Sequence, residues 1–298
     1  MKQACYHSST DGVRQLHCLR WIPEGEPRAV LQIVHGMCEH IERYDEFARY
    51  LAERGVLVVG HSHLGHGLTA RNEGELGWFG EPDGNALLIG DIHRVRMEHR
   101  RSGVPYFLLG HSMGSFLTRQ YLGLHGEGLS GAIIMGTGDI PGPVLKAGQM
   151  VCRIIAACKG WHHRSAFVSN FVIDGYRRKF GLGWLSNNAD SNRAYEADPR
   201  CGFRFTLNGF YHFFRGVDRA NRQELSGRIP KEYPILFIAG ADDPVGSCGK
   251  GVEAVCRRYQ KQGANASVRL YPGDRHEILN ELDRLTVFAD IFNWLNVK

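Results

Sequence analysis

At 298 residues, 43% hydrophobic and 22% charged, the chain has ample apolar material for a large core, and its net charge of +5, with no basic block beyond Arg177-Arg178-Lys179, excludes both a disordered chain and a nucleic-acid binder. No apolar run approaches the ~18 residues of a spanning helix, and Met1 to Arg20 lacks the hydrophobic core of a secretory leader, so a cytoplasmic location is expected. The eight cysteines form no C-x-x-C pair and are expected to be reduced, mostly buried thiols.

The stretch before Pro23, with Val13, Leu16, Leu19 and Trp21 among polar residues, predicts an antiparallel edge hairpin. Ala29–His35 and Val56–Gly60 are apolar runs of strand length, separated by a helical face of Tyr44, Phe47, Ala48, Leu51 and Ala52 that Gly55 closes. A second helix carries Leu88, Ile92 and Val95, followed by a strand at Val104–Gly110. A third starts near Met113, presents Phe116, Leu117, Gln120, Tyr121 and Leu124 on one side, and stops at Gly126. Strands at Gly131–Thr137, Tyr233–Gly240 and Ser267–Tyr271, and helices through Val252–Tyr259 and Leu285–Leu295, complete the pattern. Strands and helices in alternation predict an α/β fold with a doubly wound, mostly parallel sheet whose strands are largely buried.

The alternation breaks once, leaving ~90 residues between two late strands where a crossover needs about a dozen. Thirteen aromatic residues in that stretch suffice for a helical subdomain. The expected organisation is a core of residues 1–139 and 231–298 with a helical cap at 140–230. The cap holds fourteen basic residues against six acidic ones. Arginines on helices are usually a solvated face; the sharper expectation is an aromatic interior that accepts an acyl chain and a basic exterior that favours a lipid surface.

Gly110-His111-Ser112-Met113-Gly114 directly follows one strand and opens a helix, the strand–turn–helix of a nucleophile elbow, where flanking glycines let the backbone turn sharply enough to present a serine hydroxyl. A serine needs an imidazole to take its proton and a carboxylate to orient that imidazole, in the chain order Ser, Asp, His. Of fifteen histidines, His276 alone follows the last predicted strand, so it is the expected base. Asp243, after the strand Tyr233–Gly240, is the expected carboxylate, with its neighbour Asp242 as rival. The oxyanion donors are expected from the N–H groups of Met113 and of Met37, which leaves the strand Ala29–Val34.

His35-Gly36-Met37-Cys38-Glu39-His40 followed by Arg43-Tyr44, then Leu64-Gly65-His66-Gly67, Leu109-Gly110-His111-Ser112-Met113-Gly114 and Gly240-Ala241-Asp242-Asp243, resemble the motifs of the monoacylglycerol lipase and lysophospholipase branch of the α/β-hydrolase superfamily, a group that includes serine aminopeptidase S33-like hydrolases. The resemblance covers nearly the whole chain outside the cap, where Trp184-Leu185-Ser186 and Tyr195–Pro199 look like further landmarks. It implies the α/β-hydrolase fold and hydrolysis of single-chain lipid esters through an acyl-enzyme on Ser112, with Asp243 and His276 completing a triad. No cofactor and no metal is expected. Ser115, where these elbows usually have a second glycine, and Ser62, where an Asp usually precedes the loop motif, depart from the pattern.

His61, His63 and His66 are close in sequence, but strand and loop spacing does not turn three imidazoles toward one ion, and they read as structural. Cys152 and Cys158 read as packing on a cap helix, and Cys38 as a buried thiol beside the oxyanion loop. Two competing functions use the same residues: an amide or peptide hydrolase with the same triad, which would need an acidic subsite for a free amine, and a binding protein, which would need a broken triad.

Overall fold

The computed structural model describes residues 1–295. Eight strands, β1 (Lys2–Ser8), β2 (Gln15–Trp21), β3 (Ala29–Val34), β4 (Val56–His61), β5 (Tyr106–His111), β6 (Gly131–Met135), β7 (Ile235–Gly240) and β8 (Ala266–Tyr271), form one sheet in the order β1-β2-β4-β3-β5-β6-β7-β8. β1 and β2 form the expected antiparallel hairpin, β2 runs antiparallel to β4, and the pairings from β4 to β8 are parallel. β3 to β7 are buried throughout, as near-continuous Val/Ile/Leu runs covered by helices on both faces require. β8 departs from the expected burial: its middle residues are exposed, because it is the sheet's other edge.

Helices α1 (Asp45–Ala52) and α10 (Arg284–Trp294) cover one face, where Phe47 and Phe288 pack with ring centres 5.1 Å apart. On the other face, α2 (Gly84–His99), α3 (Met113–His125) and α9 (Lys250–Lys261) share a core with the segment between β6 and β7. That segment contains α4 (Gly142–Lys159), the short helices α5 (Ala166–Ser169) and α6 (Gly175–Phe180), α7 (Ala189–Ala197) and α8 (Leu207–Leu225).

Most of the segment's buried aromatics join the main core. Phe205, Phe210, Phe213 and Phe214 pack there, whereas Trp184, Leu185, Tyr195 and Cys201 make a small separate cluster. α8 lies against α3 and α4, and a buried fork fixes it: Arg119 on α3 donates to both Glu224 oxygens at 2.7 and 2.9 Å. Such a pair is a strong register device, because removing Glu224 would leave the fully buried Arg119 charge unpaired at a cost of about 3–5 kcal/mol. Among the described residues no helix is long and apolar enough to cross a membrane.

Candidate active site

β5 delivers its chain into the elbow and α3 carries it away, so Ser112 sits between a buried strand and a helix N-terminus. Its backbone is at φ +51°, ψ −118°, a conformation a residue with a Cβ rarely adopts and one that costs about 1–3 kcal/mol. The flanking glycines are there for close approach. A Cβ on Gly114 would overlap the carbonyl oxygens of Val34 and His35, and one on Gly110 would overlap Thr118 Oγ1 and the Gly114 carbonyl. Ser115 has a positive use: its hydroxyl donates to the Ser112 carbonyl at 2.6 Å. Ser62 is buried with its hydroxyl unpartnered, while its carbonyl accepts from Thr69 Oγ1.

The loops after β7 and β8 bring Asp243 and His276 together, with Asp243 Oδ2 3.0 Å from His276 Nδ1. Asp243 is wholly buried and its other oxygen accepts from Val245 N–H, whereas Asp242 is exposed and only its backbone is engaged. Gly136, at φ +60°, lets the imidazole lie close, since a Cβ there would stand 3.3 Å from His276 Cε1. Trp184 stacks over the same ring at 5.2 Å between centres. With Nδ1 held by Asp243, Nε2 has no partner among the described residues and stays open to the cavity that Ser112 also lines. Ser112 Oγ and Nε2 are not hydrogen-bonded here, as is common before substrate arrives.

Burial by itself would lower the His276 pKa, but the Asp243 charge and hydrogen bond outweigh it and raise the value above the ordinary histidine range. kcat/KM should therefore show an acid limb centred above about 6.5, and Asp243→Asn should move that limb to lower pH in a pH–rate profile. The linkage has a definite sign. A raised folded-state pKa makes the His276 contribution to stability fully present below the unfolded value and lost as pH rises through the folded one.

The backbone N–H groups of Met37 and Met113 donate to no internal partner among the described residues, and both residues line the cavity beside Ser112. Their loop is held from behind. Cys38, at φ +56°, donates its N–H to His66 Nε2 at 3.4 Å, and His66 in turn engages the Leu64 carbonyl through Nδ1. Burial lowers the His66 pKa to about 4, which keeps the ring a neutral acceptor.

Residues to which the sequence assigned no role complete the frame. Glu39 accepts from Gly36 N–H at 2.5 Å, Tyr44 O–H at 2.8 Å and Arg43 at 2.8 Å, and its Oε1 lies 3.1 Å from His111 Nδ1. His111 Nε2 donates to the His276 carbonyl, and Arg43 also forks onto Glu277 at 2.6 and 2.7 Å. Burial opposes ionisation of Glu39, yet the hydrogen bond to His111 and the charges of His111 and Arg43 hold its carboxyl well below the usual range. This closed ring ties the elbow, the oxyanion loop and the histidine loop together. Its only sequence signals were the Glu39, Arg43 and Tyr44 spacing and the carboxylate next to His276.

The cavity has a volume of about 380 Å³, within the size range of small-molecule sites. Beyond Ser112, His111, His276 and the Glu39 and Glu277 carboxylates, its walls are mostly apolar, from Ile140 before α4 and Val151 on it to Phe213 and Phe214 on α8. Val144, Phe167 and Phe171 line it and yet are 56, 57 and 76% exposed, which places them at its mouth.

The other sequence candidates lie apart from this cavity or behind it. His61, His63 and His66 are buried, and among the described residues they are not one of the groups whose donor atoms converge. Cys38 and Cys152 are buried as expected, but Cys158 and Cys248 are exposed.

Comparison with known proteins places the chain in a family. A family model described as "Serine aminopeptidase, S33" matches residues 25–283. The chain is similar to human monoglyceride lipase, 26% identical over 306 residues that cover 97% of this chain and 89% of the human protein. It is also similar to a monoglyceride lipase homolog of monkeypox virus, 25% identical over 94% of each chain. Among solved structures, a thermostable carboxyl esterase from Bacillus coagulans in complex with glycerol superposes with a TM-score of 0.89 and 30% identity, over 99% of this chain and 98% of that one.

Proposed function

The chain belongs to the serine aminopeptidase S33 family and has the α/β-hydrolase fold, and on that premise we propose that it hydrolyses carboxylic esters of single-chain lipids, of monoacylglycerol or lysophospholipid type, through an acyl-enzyme on Ser112. The observation that carries this reading is an apolar cavity with Ser112 and the Asp243–His276 pair on its wall. The relatives named as monoglyceride lipases and the neighbouring carboxyl esterase support it.

In this reading Ser112 Oγ attacks the ester carbonyl as His276 Nε2 takes its proton, and Asp243 stabilises the resulting imidazolium. The Met37 and Met113 amides receive the oxyanion, each donor being worth about 3 kcal/mol in the transition state. His276 returns the proton to the leaving alcohol, and water then repeats the sequence on the acyl-enzyme. An amine-specific subsite has no support, because the two carboxylates that line the cavity, Glu39 and Glu277, are both engaged by Arg43.

Residues 140–230 act as the lid, with the exposed Val144, Phe167 and Phe171 meeting the lipid aggregate. Several lid arginines are neutralised locally, as in Arg177–Glu196 and Arg204–Asp174, so the basic contribution comes from cations such as Lys146, Lys159, Arg178 and Lys179, which are exposed. A cytoplasmic setting is supported by eight free thiols.

A panel of acylglycerols, lysophospholipids and short esters, run with fluorophosphonate labelling, tests the reading. Single-chain lipid esters should be turned over best, and labelling should disappear in Ser112→Ala; an unlabelled wild-type protein would instead favour a binding role. Added salt should depress hydrolysis of anionic aggregates more than neutral ones. Equal responses would remove the electrostatic part.

A further inference from the structure

Far from the catalytic cavity, the edge hairpin and the end of α2 gather a second set of reactive side chains. Cys5 and His7 are two residues apart on β1, so they share one face of the sheet. α2 ends with His99 over that face, ninety-two residues further along the chain. His7 Nε2 lies 3.1 Å from His99 Nε2 and 3.8 Å from Cys5 Sγ, and all three donor atoms fall within 4.8 Å of one another.

These spacings are those of a ligand set. A tetrahedral zinc bound at its usual distances would separate two nitrogens by about 3.4 Å and a nitrogen from a sulfur by about 3.6 Å. Two Nε2 atoms aimed at each other can share one proton between them or one cation.

We propose that Cys5, His7 and His99 form a transition-metal site of the zinc class, with water in the fourth position, that clips edge strand β1 to the C-terminal end of α2. Thiolate and imidazole donors are the combination that zinc, cobalt and nickel prefer over calcium or magnesium. Access is open, since Cys5 and His7 are half-buried while His99 is 7% exposed.

Cys18 stands directly opposite Cys5 in the β1–β2 ladder, and its S–H donates to the Leu16 carbonyl at 3.5 Å. One rung further in, opposite Cys18, is His61, fully buried with neither ring nitrogen hydrogen-bonded. The hairpin is already tied to α2 by the Ser9 and Thr10 hydrogen bonds to Asp91, by Thr10 Oγ1 donating to the Leu87 carbonyl and by Arg94 donating to the Ser8 carbonyl. A metal would add a tie at the C-terminal end of α2, beyond those at Leu87, Asp91 and Arg94. No spacing motif announces it, because one ligand comes from a distant helix.

The test uses the full-length protein, purified under reducing conditions, stripped with a chelator and titrated with Co²⁺ and separately with Zn²⁺. Wild type should take up one Co²⁺ with a thiolate-to-cobalt charge-transfer band that is absent in Cys5→Ser and in His99→Ala. Zn²⁺ at about a hundredfold excess over its Kd should raise Tm by roughly 5 °C in wild type and by under about 1 °C in either variant. Neither side chain lines the catalytic cavity, so both metal-free variants should keep wild-type ester hydrolysis, which reports that they are folded. Absence of the band, or a band and Tm rise that survive both substitutions, would overturn the assignment.

Discussion

Ser112→Gly should lose about 10⁵–10⁶-fold in kcat and yet melt at a higher temperature than the wild-type protein. The activity loss follows from removing the nucleophile. The stability gain follows from the backbone, which holds Ser112 at φ +51°, ψ −118°. Relief of about 1–3 kcal/mol of strain outweighs the roughly 0.5–1 kcal/mol that glycine loses in chain entropy. Each net kcal/mol should appear as roughly 2–4 °C in Tm. Ser112→Ala keeps the Cβ and with it the strain, so it should be inactive without the gain. A glycine variant melting at or below wild type would show that the elbow stores no strain at this residue.

Asp243→Asn should reduce kcat by about 10⁴-fold, because an amide opposite His276 Nδ1 favours the wrong tautomer and cannot stabilise an imidazolium. Asp242→Asn should stay close to wild type, since that side chain is exposed and only its backbone N–H is engaged, with the Asp274 carbonyl. Steady-state kinetics on one ester substrate suffices. The reverse ranking would mean that Asp242, not Asp243, orients the base. Some loss through stability is expected in Asp243→Asn as well, because its buried carboxylate also accepts from Val245 N–H. Comparing the melting curves of the two variants separates that part from the kinetic one.

Much of the architecture was legible along the chain because burial on both faces writes itself as unbroken apolar runs. β3, β4, β5, β6 and β7 are wholly buried and each was signalled by such a run. β8 misled for the same reason: Val268 and Leu270 give it a strand's composition, but its place at the sheet edge, which depends on strand order, leaves Val268 38% exposed. The aromatics of residues 140–230 were visible as core formers, but not that α8 would insert Phe210, Phe213 and Phe214 into the main core while Phe167 and Phe171 remained at the cavity mouth.

At the site, the order of Ser112, Asp243 and His276 could be read locally, since each follows a strand and strands end on one rim of a parallel sheet. Choosing between adjacent carboxylates needed the direction in which each side chain leaves the loop. The ring of Glu39, Arg43, His111 and Glu277 was beyond reach, because it joins side chains separated by up to 234 positions.

The sequence alone determined the fold class, the elbow and the chemical identity of the proposed catalytic groups, because apolar periodicity and glycine placement act over a few residues and leave a local trace. Only the tertiary structure decided which carboxylate meets His276, what braces the oxyanion loop and which thiol and imidazoles converge on β1. Those are contacts between segments far apart in the chain, and a hydrogen bond or a ligand set depends on distances of a few tenths of an ångström that spacing along the chain does not encode.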